Sequence, residues 1–391
     1  MTPAARLQAA IEVLDEILAG KPAEQALTGW ARRSRFAGSK DRAALRDHVF
    51  DALRARRSFA ARGGAETGRG LILGLCRAQG LTVADLFTGI GHAPAPLTPE
   101  EQAGGRDPAP GAEAADIPDW LWPRFKASLG AQAQQAGEIM QSRAPVHLRV
   151  NTARADRPGA IAALAGEGIA TQPHPACDTA LEVTEGARGI ARSTAYLDGL
   201  VELQDAASQA IVAALPLAPG MRVLDYCAGG GGKTLALAAV PGVEVFAHDA
   251  APQRMRDLPT RAARAGARVR LLDTAEATQA APFDLVLADA PCSGSGSWRR
   301  APAGKWDLTE EKFTALLTVQ REILHHAAAL TAPDGVLAYA TCSMLAEENE
   351  GAVDAFLQAG GWQVVESHRW NVLSGTDGFY LALLTRVEFR P

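Results

Sequence analysis

The chain has 391 residues, a formal net charge of −5, 47% hydrophobic and 21% charged residues. This is a globular composition long enough for two or three domains, and it excludes collagen-like and mostly disordered classes. Five scattered cysteines make no disulfide framework. No apolar run approaches the roughly 18 residues of a membrane span, and Met1 to Gln8 shows no basic start leading into an apolar core. A cytoplasmic protein with reduced thiols, no membrane contact and no metal is expected.

Residues 1–90 carry helical periodicity: Leu7, Ile11, Leu14, Ile17 and Leu18 recur at three- and four-residue spacing before Gly20-Lys21-Pro22 stops the pattern. Residues 31–60 hold Arg32, Arg33, Arg35, Lys40, Arg42, Arg46, Arg54, Arg56 and Arg57 against Asp41, Asp47 and Asp51. This excess suits either a phosphate grip or a solvated helical face. Residues 91–118, rich in Pro, Ala and Gly, are expected to form an extended linker. Residues 119–215 follow as a helix from Trp120 toward Met140, a strand at His147–Asn151, and a small α+β module closed by a helix that Asp205 caps.

From residue 216 to 391 the pattern becomes α/β. Val223-Leu224, Val243–Phe246, Val269–Leu272, Leu285–Leu287 and Val336–Tyr339 are continuous apolar runs, most of them separated by helical stretches. Such runs indicate a parallel sheet covered on both faces. Trp362–Val365 and Phe379–Leu384 are read as an antiparallel hairpin closing that sheet.

Chemistry gathers where these strands end. Cys227-Ala228-Gly229-Gly230-Gly231-Gly232-Lys233 follows the first strand and opens a helix, so its backbone turns sharply and lets a ligand approach. Its spacing differs from both the phosphate loop and the dinucleotide fingerprint. Asp225, Asp249, Asp273 and Asp289 end four strands at one sheet edge, where an adenosine-bearing cofactor binds: Asp249 suits the ribose and Asp273 lies near the adenine. Cys292 follows the fourth strand and Cys342 the fifth. Adjacent strands lie about 4.8 Å apart, so both thiols reach one pocket with Asp289. A helix starting near Leu345 is expected to lower the Cys342 thiol pKa, with Glu347 and Glu348 in its first turn partly cancelling the gain. Cys76 and Cys177 are expected to be packing residues.

The segments Val223–Ala228, Asp289-Ala290-Pro291-Cys292-Ser293-Gly294 and Tyr339-Ala340-Thr341-Cys342-Ser343 resemble the signature motifs of the Nop/Sun family of RNA cytosine-C5 methyltransferases. So do Leu148–Asn151, Gln204–Gln209 and Gly375–Tyr380, in order over residues 145–391. The N-terminal helices resemble the NusB-like domain of the Sun/Fmu type.

The resemblance implies a Rossmann-like class I methyltransferase sheet, preceded by an α+β RNA-recognition module and a helical RNA-binding domain. It implies S-adenosylmethionine as cofactor, held by Cys227, Ala228, Gly229, Gly230, Gly231, Gly232, Lys233, Asp249, Arg254, Asp273 and Asp289. It implies 5-methylcytosine formation in RNA, 16S rRNA first, by a protein expected to be a monomer. Cys342 becomes the nucleophile that adds to C6, Asp289 the contact to the N3/N4 edge, and Cys292 a participant in release. Two departures stand out: Gly229-Gly230 replaces the family's Ala-Pro, and Pro302-Ala303-Gly304 precedes Lys305-Trp306 without the usual acid. The alternatives are the same chemistry on tRNA or 23S rRNA, an inactive RNA-binding assembly factor, and a nicotinamide-dependent dehydrogenase. The last leaves both thiols unexplained.

Overall fold

The computed structural model describes residues 1–387, which divide into two compact units. The first comprises residues 1–143 together with Trp298–Glu310. Its opening helix, Pro3–Leu18, starts where the Thr2 hydroxyl accepts from Ala5 N, and it buries Leu7, Ile11 and Leu14 as their spacing requires. These pack with Leu45, Val49, Leu53, Leu71, Ile72 and Leu75 of later helices in one apolar core. Cys76 lies wholly inside it, and burial pushes its thiol up to about 11.

The Pro-rich stretch is not the extended tether its composition suggested. Thr98 and Glu101 form a reciprocal cap on a short helix, Pro99–Ala103, and Glu101 pairs with Arg69. Ala115, Asp116 and Ile117 are fully buried. The Asp116 carboxylate accepts from Arg57 N at 2.7 Å, Ser58 N at 3.1 Å and Ser58 Oγ at 2.6 Å. A buried carboxylate with three donors anchors the segment despite its composition.

Trp298–Glu310 completes the end of the helix Ser39–Arg54. Its last carbonyls lack partners within the helix. Trp306 Nε1 donates to Leu53 O at 2.6 Å, Lys305 Nζ to Arg54 O at 3.0 Å, and Arg54 Nε donates back to Arg299 O at 2.7 Å. Burial pulls Lys305 down to about 8 although Asp116 opposes it.

The second unit comprises residues 144–297 and 311–387. It begins with a four-stranded antiparallel sheet of β1 (Val146–Val150), β2 (Thr171–Pro173), β3 (Ala180–Val183) and β4 (Val201–Leu203), in the order β2-β3-β1-β4. Asp205 caps the following helix, Ala206–Ala213, as expected. Seven strands then form the main sheet: β5 (Arg222–Asp225), β6 (Glu244–Ala247), β7 (Val269–Leu271), β8 (Phe283–Asp289), β9 (Thr331–Thr341), β10 (Trp362–Trp370) and β11 (Phe379–Arg386). Their order is β10-β11-β9-β8-β5-β6-β7. The pairs from β7 through β9 are parallel, and β11 runs antiparallel to both β9 and β10. Leu224, Phe246, Val286, Leu337 and Tyr339 fill one core of this sheet. Between β5 and β8 the direction of strand addition reverses, which opens a crevice at the strands' carboxyl ends.

Candidate active site

The glycine loop after β5 lies at that crevice. Gly229 and Gly231 have φ of +51° and +81°, which favour glycine, and a Cβ on Gly231 would lie 2.2 Å from Leu258 Cδ1. Polar side chains hold the loop from outside. Arg149 on β1 donates to Gly232 O at 2.7 Å and Gln204 Oε1 at 2.6 Å, and Arg261 donates to Gly230 O. Burial lowers Arg149 to about 10. Asp249 accepts from Gly229 N and Ala251 N, both at 2.9 Å, and meets Arg254 Nη1 at 3.3 Å. Asp225 accepts from Thr234 Oγ1 at 2.6 Å, its Oδ1 has no hydrogen-bond partner among the described residues, and burial raises its carboxyl to about 7.

These elements surround a cavity of about 420 Å³ lined by Gln204, Ser208, Cys227, Ala228, Gly229, Gly230, Gly232, Lys233, Arg254, Asp289, Cys292 and Cys342, among others. At its wall Lys233 Nζ donates to Asp289 Oδ2 at 2.7 Å. Burial pulls the ammonium pKa down, but the Asp289 charge and hydrogen bond outweigh it, so the pKa stands above its ordinary value. Cys292 and Cys342 Sγ are 3.4 Å apart. The two thiols shift in opposite directions. The hydrogen bond from Cys292 lowers Cys342 against burial and Asp289, with Lys233 assisting. Cys292 is raised by the same partner, by burial and by Glu348. The two shifts favour negative charge on Cys342 over Cys292.

The source of that activation differs from expectation. The helix after Cys342 is Glu350–Leu357, preceded by turns, so its N-terminus does not begin at the thiol. Glu348 is a fully buried residue beside the cysteine loops rather than a first-turn acid. Asp273 is exposed and caps the helix Thr274–Ala280, accepting from Glu276 N at 2.8 Å, and is not part of the cavity wall. Lys305 and Trp306 are committed to main-chain carbonyls of the first unit. In the arginine-rich region, Arg33, Arg46, Arg54, Arg56 and Arg57 pair with Glu16, Glu24, Asp51, Glu66 and Asp119, and Arg42 donates to Ala37 O. Arg32, Arg35 and Lys40 are exposed. Sequence reasoning assigned no role to Arg149 or Gln204, and took Glu348 only for a first-turn acid. The signal for Glu348 was a serine directly after each cysteine, Ser293 and Ser343.

Comparison with known proteins agrees with this architecture. The crystal structure of PH0851 superposes with a TM-score of 0.76 at 24% identity, covering 99% of both chains. NSun6 from Pyrococcus horikoshii, solved with SFG, gives a TM-score of 0.62 at 20% identity, covering 69% of this chain and 98% of that one. The fold is therefore the Rossmann-like methyltransferase type, with a helical N-terminal region. Residues 212–384 match the family described as 16S rRNA methyltransferase RsmB/F, and residues 117–188 match the RsmF/B-like, ferredoxin-like domain. Together these segments make up more than half of the chain, which belongs to the RsmB/F family. Ribosomal RNA small subunit methyltransferase B of Salmonella arizonae is 35% identical over 62% of this chain. The match spans 57% of that relative's length.

Proposed function

We propose that the protein methylates C5 of a cytosine in RNA, with small-subunit ribosomal RNA as substrate and S-adenosylmethionine as methyl donor. The observation that carries this reading is the pair of thiols 3.4 Å apart, beside the Lys233–Asp289 pair and the glycine loop. The names of the family and of its curated relative support ribosomal RNA over tRNA.

The cavity residues suit the cofactor. The glycine backbone leaves part of its wall without side chains, and the Asp249 carboxylate keeps acceptor capacity beyond its two loop amides. Cys227 to Lys233, Asp249, Arg254 and Asp289 would hold it; Asp273, occupied as a helix cap, would take part only from outside the wall. When bound, S-adenosylmethionine supplies an electrophilic methyl group.

The chain's own residues prepare the base. Cys342 sulfur adds to C6 of the cytosine, which raises electron density at C5. Asp289, oriented by Lys233, meets the N3/N4 edge and stabilises charge developing there. After the methyl group arrives, the C5 hydrogen leaves as a proton to solvent, its electron pair re-forms the C5–C6 double bond, and Cys342 departs as the thiolate; Cys292 beside it takes part in this release. The base has to be unpaired or flipped out for C6 to reach the sulfur. Arg32, Arg35 and Lys40 supply phosphate contacts from the helical unit.

The test is nucleoside mass spectrometry of 16S transcript incubated with the purified chain and isotope-labelled S-adenosylmethionine. Labelled 5-methylcytidine is expected. Label on another base, or none on the 16S transcript while tRNA in a parallel incubation is labelled, overturns the reading.

A further inference from the structure

Glu348 is fully buried, yet four donors converge on its carboxylate. Oε1 accepts from Ser293 N at 2.7 Å and from Gln320 Nε2 at 3.0 Å, while Oε2 accepts from the hydroxyls of Ser293 and Ser343. Its own carbonyl accepts from the Tyr339 hydroxyl at 2.7 Å. Ser293 follows Cys292 and Ser343 follows Cys342. The β8–β9 pairing ends at Asp289 and Ala340, and beyond it the two cysteine loops are joined by this carboxylate, by Ala290 N donating to Ala340 O at 2.9 Å and Gly296 N to Cys342 O at 3.0 Å, and by Ser295 Oγ, which lies 2.9 Å from Ser343 Oγ and accepts from Met344 N at 2.8 Å. A buried carboxylate supplied with this many donors has its hydrogen-bonding capacity met.

We propose that Glu348 is the positioning residue of the two-thiol centre: it ties the cysteine loops together, and its charge determines which thiol carries the proton. This deepens the reading of Cys342 as nucleophile and Cys292 as its partner. The charges around the pair are unequally placed. Glu348 acts on Cys292, whereas Asp289 and Lys233 act on Cys342 with opposite signs, and Ser297 also donates to it. An anion behind Cys292 disfavours a second negative charge there, while at Cys342 the cation of Lys233 partly offsets the anion of Asp289.

Alkylation of the purified full chain by iodoacetamide across pH, read by peptide mass spectrometry, tests this without RNA or cofactor. In the native protein Cys342 reacts ahead of Cys292. Glu348→Gln keeps most of the ties, because serine hydroxyls also accept, but removes the charge. Its Cys342-to-Cys292 reactivity ratio should fall about tenfold, equivalent to one pH unit of relative thiol ionisation. Glu348→Asp keeps the charge and should keep the ratio. An unchanged ratio in a folded Gln variant overturns the proposal, as does an Asp variant that loses the ratio. The Asp variant carries the test alone if the Gln variant does not fold. A shifted ratio with no methyl transfer by the native chain would overturn the methyltransferase reading and leave this one standing.

Discussion

The arginine-rich helices of the first unit and the strand ends of the second both concentrate charge, with opposite results. In the helices, guanidinium groups pair with carboxylates of the same unit, as Arg46 does with Glu24 and Arg33 with Glu16. At the strand ends, Asp289 and Lys233 come from different elements and border an open cavity, and Asp249 holds the glycine loop that lines it. Residue count is thus a poor guide to a charged site. A periodic helix spreads its charges over a surface where partners are available. Parallel strands ending at one edge leave theirs directed at the same space.

The contrast breaks most visibly at the thiols. Cys342→Ala should reduce single-turnover methyl transfer by about four orders of magnitude, since removing a nucleophile removes the covalent route. Cys292→Ala should complete one transfer and then accumulate RNA-linked protein that survives denaturing electrophoresis. An adduct in the first variant and none in the second would exchange the two roles.

Lys233→Met leaves Asp289 without its cation and should cost about 100-fold in transfer rate. Cys342 is also deprived of a neighbouring positive charge, so the residual activity should move to higher pH. A proportional loss at every pH would mean that Lys233 only orders the loop.

Asp225 extends the comparison to a charge with an unmade bond. Its folded-state pKa, about 7, lies above the ordinary 3.8, so the native state holds a proton that the unfolded chain releases. Its contribution to stability is therefore lost as pH rises from about 4 to 7, with a slope approaching ~1.4 kcal/mol per pH unit. Urea unfolding of Asp225→Asn between pH 5 and pH 7 should show a flatter dependence than the native chain.

Asp249→Ala should weaken cofactor binding in calorimetry about tenfold, or ~1.4 kcal/mol. The smallest effects belong to the helices. Arg46→Ala, at an exposed pair, should cost under about 1 kcal/mol and leave the salt dependence of RNA binding unchanged. Replacing Arg32, Arg35 and Lys40 should reduce that slope by about 0.9 for each phosphate no longer neutralised. Equal slopes in both variants would erase the distinction between paired and open charge.

The sheet was legible because buried parallel strands need unbroken apolar runs, and Val223-Leu224 and Leu285–Leu287 supply them. The meeting of Cys292 and Cys342 was legible for the same reason: neighbouring strand ends fix neighbouring loops. What escaped depends on individual polar contacts that leave no periodic trace. Asn349 Nδ2 donates to Ser343 O and Thr341 Oγ1 donates to Asn349 Oδ1, so the chain after Cys342 turns back before its helix begins at Glu350. Asp116 likewise sits in a stretch whose prolines and glycines announce a linker, while its carboxylate is fully buried.

The divided first unit has a consequence for synthesis on the ribosome. Residues 1–143 emerge early, but the residues that cap the carbonyls of Leu53 and Arg54 follow only at Lys305 and Trp306. At about 5–20 residues per second, that delay is on the order of ten seconds. Until then the helix Ser39–Arg54 lacks its terminal partners, and the Arg54 guanidinium lacks the Arg299 carbonyl. The N-terminal helices therefore complete their folding only after the strand that leads to Cys292 has been made.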